Sequence, residues 1–443
     1  MYVCREPHEQ QLELFERSMP FANKLDHNNR WICLAHAINW RDLEVSYAKL
    51  FAEAGRPALR ARYVLGTLIL KHHFELSDDD IVQLIIESPY LQYFIGLAQF
   101  TMSAPFETSS LSRVRERLGE ETFQEFEETL IATLVAQKII KPKSLQVDAT
   151  VFESDITYPT DCGLLEKARQ FCVKQIRHLR QVAQKKVRTY CRVAKKEYLN
   201  FTKKKHKTKK QIRRMQKSLL QYVRRNIEQL NDLITRARAR GDAVAEKVAT
   251  TFETVKRIYA QQLEMYKEKK KSIANRIVSL AKPYVRPIVR GKNGKDVEFG
   301  AKVQLSHVDG YLFVDHLSYD NFNESTTLKK SLDAHQRRFG ELPKEVLMDH
   351  IYGSRDNRDN LRDKGIRTSV KKLGRPATDA ASVSEARWRK RKQRERNRIE
   401  GAIGNSKTCY DLGVVRARTP KTEASWIQMA LFSRNLMLAI SRI

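Results

Sequence analysis

The segment between Lys167 and Arg214 constrains this chain more than any other stretch of its sequence. It contains 19 Lys and Arg residues against one acid, Glu197. Charges at this density repel one another, so the segment must stay at the surface or lie along a polyanion. Apolar residues at helical spacing return in "RRNIEQLNDLITRARARGDAVAEKV". The pattern predicts a basic helical hairpin over residues 163–282, laid against a phosphate backbone, with a solvated pair of charged helices as the alternative.

The whole chain shares this basic character. Its 443 residues include 82 Lys and Arg against 52 Asp and Glu, a net charge of +30. Such an excess favours DNA as the partner rather than a small-molecule substrate. The candidate phosphate contacts within the hairpin are Lys203, Lys204, Lys205, Lys209, Lys210, Arg213 and Arg214.

Cysteine usage and hydropathy indicate the cellular setting. The six cysteines show no CxxC spacing, which excludes a zinc ribbon and gives no disulfide framework. The start, "MYVCREPHEQ", has no apolar run typical of an export signal. The most apolar window, "RYVLGTLILKHHF", is broken by Lys71 before it reaches membrane-spanning length. We expect a cytoplasmic protein that does not enter a membrane.

The predicted secondary structure changes from helix to strand near residue 141. Residues 1–140 show helical apolar spacing and predict a helical N-terminal domain. "SLQVDATVFES" then predicts a strand within residues 141–162, before the basic insertion. Residues 283–443 predict the remainder of the same strand-containing domain.

The last part of the chain alternates strands and helices. Turn signals at Asn293-Gly294 and Asp309-Gly310 predict strand hairpins. The short apolar run "EVLMDH" predicts a buried strand, and Ser382 with Glu385 predicts a capping box that opens a long C-terminal helix. These connections require crossovers, so we expect a mixed α/β sheet with helices on its faces.

Three acids occupy unusual positions in this pattern. Asp148 lies inside the first strand, Asp349 ends a later strand, and Glu400 lies on the basic C-terminal helix. If the two strands are neighbours, the acids converge, and hard carboxylate oxygens suit Mg²⁺ or Mn²⁺ rather than zinc. Two such ions clamp the attacking and leaving oxygens of a phosphodiester. Taken singly, Asp148 could be a hydrogen-bonded strand acid, Asp349 a turn cap, and Glu400 the ion-pair partner of Arg396.

The helix around Glu400 carries further candidate residues. Arg396 and Lys407 share a helix face with Glu400 and are expected to bind phosphate. Gly401 and Gly404 keep that surface low, so that a nucleic-acid backbone can approach. Ile399, Ala402 and Ile403 form an apolar stripe expected to pack on the sheet.

These motifs resemble a known family, the bacterial insertion-sequence transposases of the DDE type, in the group of insertion sequence five. "VDATVFESDITYPTD" is similar to the region of that group's first acid, and "RNRIEGAIGNSK" to its third signature, although Gln393 replaces the family's tyrosine. Residues 40–120 are similar to the group's helical N-terminal domain, which implies that residues 1–140 bind DNA ends or mediate dimerisation. "MDHIYGSRDNRDNLRDKGI" is similar to the second-acid region, with matches at Tyr352, Gly353, Ser354, Asn357, Arg358 and Gly365.

The resemblance implies an RNase H-like catalytic domain that uses two Mg²⁺ or Mn²⁺ ions held by Asp148, Asp349 and Glu400, with Arg358 as a further phosphate contact. Water cuts the strand at the element's end, and the freed 3′-hydroxyl attacks target DNA without an energy cofactor. It implies DNA partners, namely the terminal inverted repeats and the target, and a homodimer in the synaptic complex. It also implies a location at the bacterial nucleoid.

Two other functions remain alternatives at this point. A domesticated relative could bind DNA as a repressor or architectural factor without catalysis, and an RNase H-like nuclease could act on RNA. The three intact acids favour the enzyme, because a protein that only binds DNA has no reason to keep them in a basic site.

Overall fold

A computed structural model of the protein describes residues 21, 25–52, 54, 57–292, 295–371 and 380–442. The predicted turn at Asn293-Gly294 lies outside these residues. Among the described residues, none of the helices has both the length and the apolar composition needed to cross a membrane.

Helices dominate the first part of the chain, and the first strand follows them. Side-chain caps fix where helices begin: Ser77 precedes the helix Asp78–Glu87, and its hydroxyl accepts a hydrogen bond from the backbone amide of Asp80. The elements are α1 (Arg30–Ala37), α2 (Trp40–Ala48), α3 (Ala61–Phe74), α4 (Asp78–Glu87), α5 (Pro89–Phe94), α6 (Ser109–Arg117), α7 (Glu120–Ala136) and β1 (Ser144–Glu153).

The basic insertion and the rest of the chain follow β1. Their elements are α8 (Asp161–Val182), α9 (Cys191–Thr202), α10 (Lys209–Arg238), α11 (Ala243–Glu268), β2 (Pro287–Lys292), β3 (Lys295–Val308), β4 (Tyr311–Ser318), α12 (Leu328–Phe339), β5 (Glu345–Leu347), α13 (Arg355–Asp363), β6 (Arg367–Thr368), α14 (Ala380–Cys409) and α15 (Pro420–Ile440).

Two local predictions are wrong. The insertion contains four helices rather than one hairpin, because the chain breaks after α8 and again after α9. The C-terminal helix α14 already includes Ala380, so Ser382 lies within the helix rather than before its first turn. Glu385 instead pairs with Arg367 and Arg389.

The sheet is mixed, as the sequence predicted. Its strands lie in the order β4-β3-β1-β5-β6. β1 pairs with β5 in parallel, as β5 does with β6, whereas β3 and β4 form an antiparallel hairpin. The turn of that hairpin is the predicted Asp309-Gly310, where both residues have positive φ. The physical reason for the mixture is that β1 and β5 belong to segments joined by long crossovers, whereas β3 and β4 are joined by two residues.

The chain forms two compact units. One contains residues 1–155 and 301–443, and the other contains residues 156–300. In the first unit, the N-terminal helices share one hydrophobic core with the sheet, in which Phe126 packs against Phe432 of α15 and Leu145 and Val147 of β1 are buried. In the second unit, α8, α10 and α11 bury their own apolar stripes against one another. The hairpin of β2 with the start of β3 also belongs to this second unit.

A buried ion pair joins α3 to the segment that follows α14. The ammonium of Lys71 lies 2.8 Å from the carboxylate of Asp411, and the two side chains are 1% and 7% exposed. The same ammonium lies 3.7 Å from the centre of the Trp426 ring, whose indole N–H donates to the carbonyl of Asp411. Burial lowers the pKa of Lys71, and the carboxylate of Asp411 opposes that effect. Lys71, which interrupts the apolar window in the sequence, is therefore an interior cation with a dedicated partner.

Replacement of that partner should destabilise the fold strongly. Asp411→Asn keeps the shape of the side chain and suits the φ of 58° at this position, but it leaves Lys71 buried without a counter-charge. We expect a loss of about 3–5 kcal/mol in the free energy of unfolding, measured by chemical denaturation. Asp359→Asn, which breaks an exposed pair with Arg362, is the control and should cost less than about 1 kcal/mol. Equal losses in the two variants would contradict a special role for Asp411.

A second buried cluster should make the stability depend on pH. The guanidinium of Arg338 lies 2.6 Å from Asp315 and 3.3 Å from Glu127. Burial raises the pKa of Glu127 from 4.5 to about 7, although Arg338 opposes this. The folded state therefore holds a proton that the unfolded state has lost, so this stabilisation is complete below pH 4.5 and disappears as the pH rises through about 7.

Glu127→Gln should remove this fall in stability. Denaturation at pH 5 and pH 7 should show a decrease for the native chain, of at most about 3 kcal/mol from this group, that is largely absent in the variant. Glu128→Gln, at the exposed neighbouring position, should keep the decrease. A variant Glu127→Gln with an unchanged pH dependence would assign the effect to other groups.

Candidate functional site

The parallel pairing of β1 with β5 places two of the three acids side by side. The register pairs Gln146 with Leu347. Two residues further along each chain stand Asp148 and Asp349, which the same register brings to neighbouring positions on one face of the sheet. Their side chains are 21% and 41% exposed, so both are open to solvent, Asp148 within β1 and Asp349 just beyond the end of β5.

Asp349 turns the chain immediately after β5. Its carboxylate accepts from the amide of His350 at 2.6 Å and lies 2.7 Å from Nδ1 of the same histidine. The turn is fixed from below by Tyr352, a buried residue whose hydroxyl donates to Oε1 of Gln304 at 2.8 Å. The side-chain amide Nδ2 of Asn357 donates to the carbonyl of Tyr352, also at 2.8 Å. Residues of the motif that follows Asp349 therefore hold the loop that carries this acid.

Arg358 belongs to the same support. Its Nε donates to the carbonyl of Gly353 at 2.7 Å, and a second nitrogen donates to the carbonyl of Lys371. A Cβ at Gly353 would lie 2.8 Å from both Arg358 and Val370, so a larger residue here would force one of these side chains to move. Burial lowers the pKa of Arg358. Its predicted phosphate contact stays a prediction, whereas its hydrogen bonds to the loop are present in the structure.

Glu400 reaches the same neighbourhood from α14. Ile399, Ala402 and Ile403 are buried in a cluster with Phe152 of β1, which packs this helix on the sheet as the apolar stripe predicted. Glu400 lies on the flank of that stripe, with its side chain 53% exposed.

Arg396 links the acids of β1 and α14. One guanidinium nitrogen lies 2.7 Å from Glu400 and another lies 3.7 Å from Asp148. The side chain of Arg396 is 12% exposed, so its charge is partly withdrawn from water. Lys407 stands further along the same helix, and its ammonium donates to the carbonyl of Val151 at 2.8 Å. The predicted helix face is thus directed at β1; the phosphate contacts of Arg396 and Lys407 stay predictions.

Arg396 joins Asp148 to Glu400, and the strand register places Asp349 beside Asp148, but the three acids do not form a preassembled metal cage. Over the ranges that the structure describes, no group of three or more His, Cys, Asp or Glu side chains is placed to hold a metal ion. Two of the simpler roles that the sequence allowed are present: Asp349 caps its turn, and Glu400 forms an ion pair with Arg396. The carboxylates nevertheless fit a divalent cation. The guanidinium of Arg396 lies between Asp148 and Glu400, so these two acids already share one positive charge.

Sequence reasoning missed Gln304 and Lys302. Both occupy polar positions between the apolar residues of β3, yet both side chains are buried. Lys302 lies 3.0 Å from Glu324, and Gln304 accepts from Thr327 as well as from Tyr352. Alternation alone could not reveal this, because a sheet with both faces covered buries the polar positions of its strands too.

The second unit presents a dense basic surface. It centres on the chain between α9 and the start of α10, where Thr208 and Gln211 form a reciprocal capping box. The amino end of a helix attracts anions, and the basic side chains around it add to that attraction. All seven candidate phosphate contacts are exposed, namely Lys203, Lys204, Lys205, Lys209, Lys210, Arg213 and Arg214.

Comparison with known proteins agrees with the geometry. A family model described as "Transposase domain (DUF772)" matches residues 19–117, and a model described as "Transposase DDE domain" matches residues 346–437. The second match includes Asp349 and Glu400, whereas Asp148 lies outside both matches.

A curated protein is also similar. The uncharacterized protein ORF8 in the nfe locus of Rhizobium meliloti is 32% identical over 147 residues, which cover 32% of this chain and 71% of that protein. No solved structure matches. The mixed sheet with its covering helices agrees with the RNase H-like fold of DDE domains. The chain belongs to the DDE-type insertion-sequence transposases.

Proposed function

We propose that this transposase cuts DNA strands at the ends of an insertion sequence and joins the freed 3′-hydroxyls to target DNA. The observation that supports the proposal is the placement of Arg396 between Asp148 and Glu400, beside the strand pair whose register sets Asp349 next to Asp148. In the first reaction, water attacks the phosphodiester and the 3′-oxygen leaves with a proton. In the second, that 3′-hydroxyl loses its proton and attacks a target phosphodiester, whose own 3′-oxygen leaves.

Asp148, Asp349 and Glu400 would hold two Mg²⁺ or Mn²⁺ ions. Such ions, when bound, lower the pKa of an attacking oxygen and neutralise the phosphoryl group. The chain's own contribution is placement: the parallel register fixes two acids, and packing of α14 on β1 fixes the third. Arg396 orients Asp148 and Glu400 and limits the repulsion between them, since without a cation these carboxylates would face each other unscreened.

The basic surface of the second unit would bind the phosphate backbone of the element's terminal inverted repeats or of the target. Its exposed lysines and arginines release counterions from DNA, a sequence-independent source of affinity. Two element ends must be brought together, so we propose a homodimer in the synaptic complex, acting on DNA at the bacterial nucleoid.

Asp349→Asn should abolish cleavage and leave DNA binding intact. The amide is a poorer ligand for a divalent ion, but it retains the hydrogen bond to the His350 amide that shapes the turn. We expect Mg²⁺-dependent nicking of a duplex carrying the inverted repeats that flank the gene to fall by about 100-fold or more. Gel-shift measurements on the same duplex should show unchanged affinity.

The matched control is Asp363→Asn, which removes an exposed acid at the end of α13. It should nick as the native chain does. Nicking that survives Asp349→Asn would refute the role of this acid, and binding by a native chain that never nicks would favour a DNA-binding protein without catalysis. Preferential cleavage of an RNA–DNA hybrid would instead indicate an RNA-directed nuclease.

The basic surface should reveal itself in the salt dependence of DNA binding. Replacement of Lys204, Lys205 and Lys209 by Gln should reduce the slope of log affinity against log salt concentration by about 0.9 for each phosphate that the variant no longer neutralises. Fluorescence anisotropy over a series of salt concentrations measures this slope.

A charge-matched control lies at the other end of α10. Gln at Arg236, Arg238 and Arg240 removes the same charge at a distance of about 40 Å along the helix axis. This triple variant should keep most of the slope. Equal reductions in both variants would show that net charge alone, rather than this surface, determines the affinity.

A further inference from the structure

A second concave site lies beside α14, on the flank away from the acids. Arg396 and Glu400 stand on one side of the buried residue Ile399, whereas Arg398 and Asn405 stand on the other. The cavity on this other side has a volume of about 400 Å³. That is enough for a small organic ligand.

The cavity extends across three neighbouring strands. His307 of β3, Gln146 of β1 and Glu345 of β5 line its base, and α14 covers it. The charge of the lining residues changes from β3 across β1 to β5, so the two ends of the cavity differ in chemistry.

The end over β3 carries a net positive charge, although Asp309, 3.9 Å from Arg442, offsets part of it. Arg398, Arg434 and Arg442 surround His307, and burial together with these three charges lowers the pKa of His307 to about 4. Arg434 is held in place by donating to the carbonyl of Gly310 at 2.9 Å. Arg398 is exposed, so its guanidinium is accessible to a ligand in the cavity.

The end over β5 carries one more acid than base, and the middle of the cavity is polar. Lys392 lies 2.6 Å from Glu345 and 2.8 Å from Glu395, so one cation serves two acids. Between the two ends, Oε1 of Gln146 and Nδ1 of His307 are buried and meet no hydrogen-bond partner among the residues that the structure describes. These side chains are 6% and 4% exposed. Buried polar atoms of this kind cost free energy unless a ligand or water satisfies them.

We propose that this cavity binds a nucleotide. The phosphate lies against the cationic end at Arg398 and His307, and a hydroxyl of the sugar or an amine of the base donates to Gln146. A simple anion would satisfy the arginines but leave the acceptor of Gln146 without a donor. An uncharged ligand would leave the cationic end without a counter-charge. A nucleotide carries both groups, either as a unit of a DNA strand or as a free molecule, and the site is separate from the acids assigned to strand cleavage.

The test uses the full chain and four probes: a deoxynucleoside monophosphate, its nucleoside, inorganic phosphate and a short single-stranded oligonucleotide. Calorimetric titration should show that the monophosphate binds more tightly than either of its parts. Arg398→Gln should weaken binding of the monophosphate and of phosphate by about tenfold. Gln146→Leu, of similar volume, should weaken binding of the monophosphate but not of phosphate.

The matched control is Arg394→Gln, which removes the same charge from an exposed position of α14 outside the cavity. It should leave all affinities unchanged, and thermal unfolding of each variant verifies its fold. Displacement of the monophosphate by the oligonucleotide identifies a strand as the source, and lack of displacement identifies a free nucleotide. Equal effects of Arg398→Gln and Arg394→Gln, or phosphate binding as tight as that of the monophosphate, would overturn the proposal.

Discussion

The parallel pairing of β1 with β5 is the interaction on which the rest of the structure depends. Ser144 and Glu345 are about two hundred positions apart in the sequence, yet they face each other in this register. A shift of one residue would send Asp148 to the opposite face of the sheet from Asp349. The basic insertion between the two strands forms its own compact unit, so its length does not disturb the pairing.

Compensation of buried charge is the second organising principle of the first unit. Lys71 meets Asp411, and Arg338 meets Asp315 and Glu127, in places where an unpaired charge would be costly. Arg396 differs from these buried cations, because its partners Asp148 and Glu400 remain partly exposed to water. Pairs of the first kind hold helices and sheet together. The contact of Arg396 keeps carboxylates close to one another, which is what a site for divalent cations requires.

Much of the acidic site could be predicted from local sequence, because its parts sit at recognisable positions of strands and helices. The apolar run before Asp349 and the stripe beside Glu400 both predicted the faces that the structure buries. The roles of Gln304 and Arg358 could not be predicted in this way. Their partners are distant side chains and carbonyls, and no spacing within one element records such contacts.

The sequence by itself determined the residue types, the alternation of elements and the concentration of positive charge, since these depend on neighbours within a few positions. It also determined that the insertion could not be an interior segment. Only the tertiary structure decided that Arg396 lies between Asp148 and Glu400, and that a cavity opens on the other flank of the same helix. The reason is physical: these arrangements depend on how α14 packs against the sheet, and crossing angle and register are set by all the contacts of the core together.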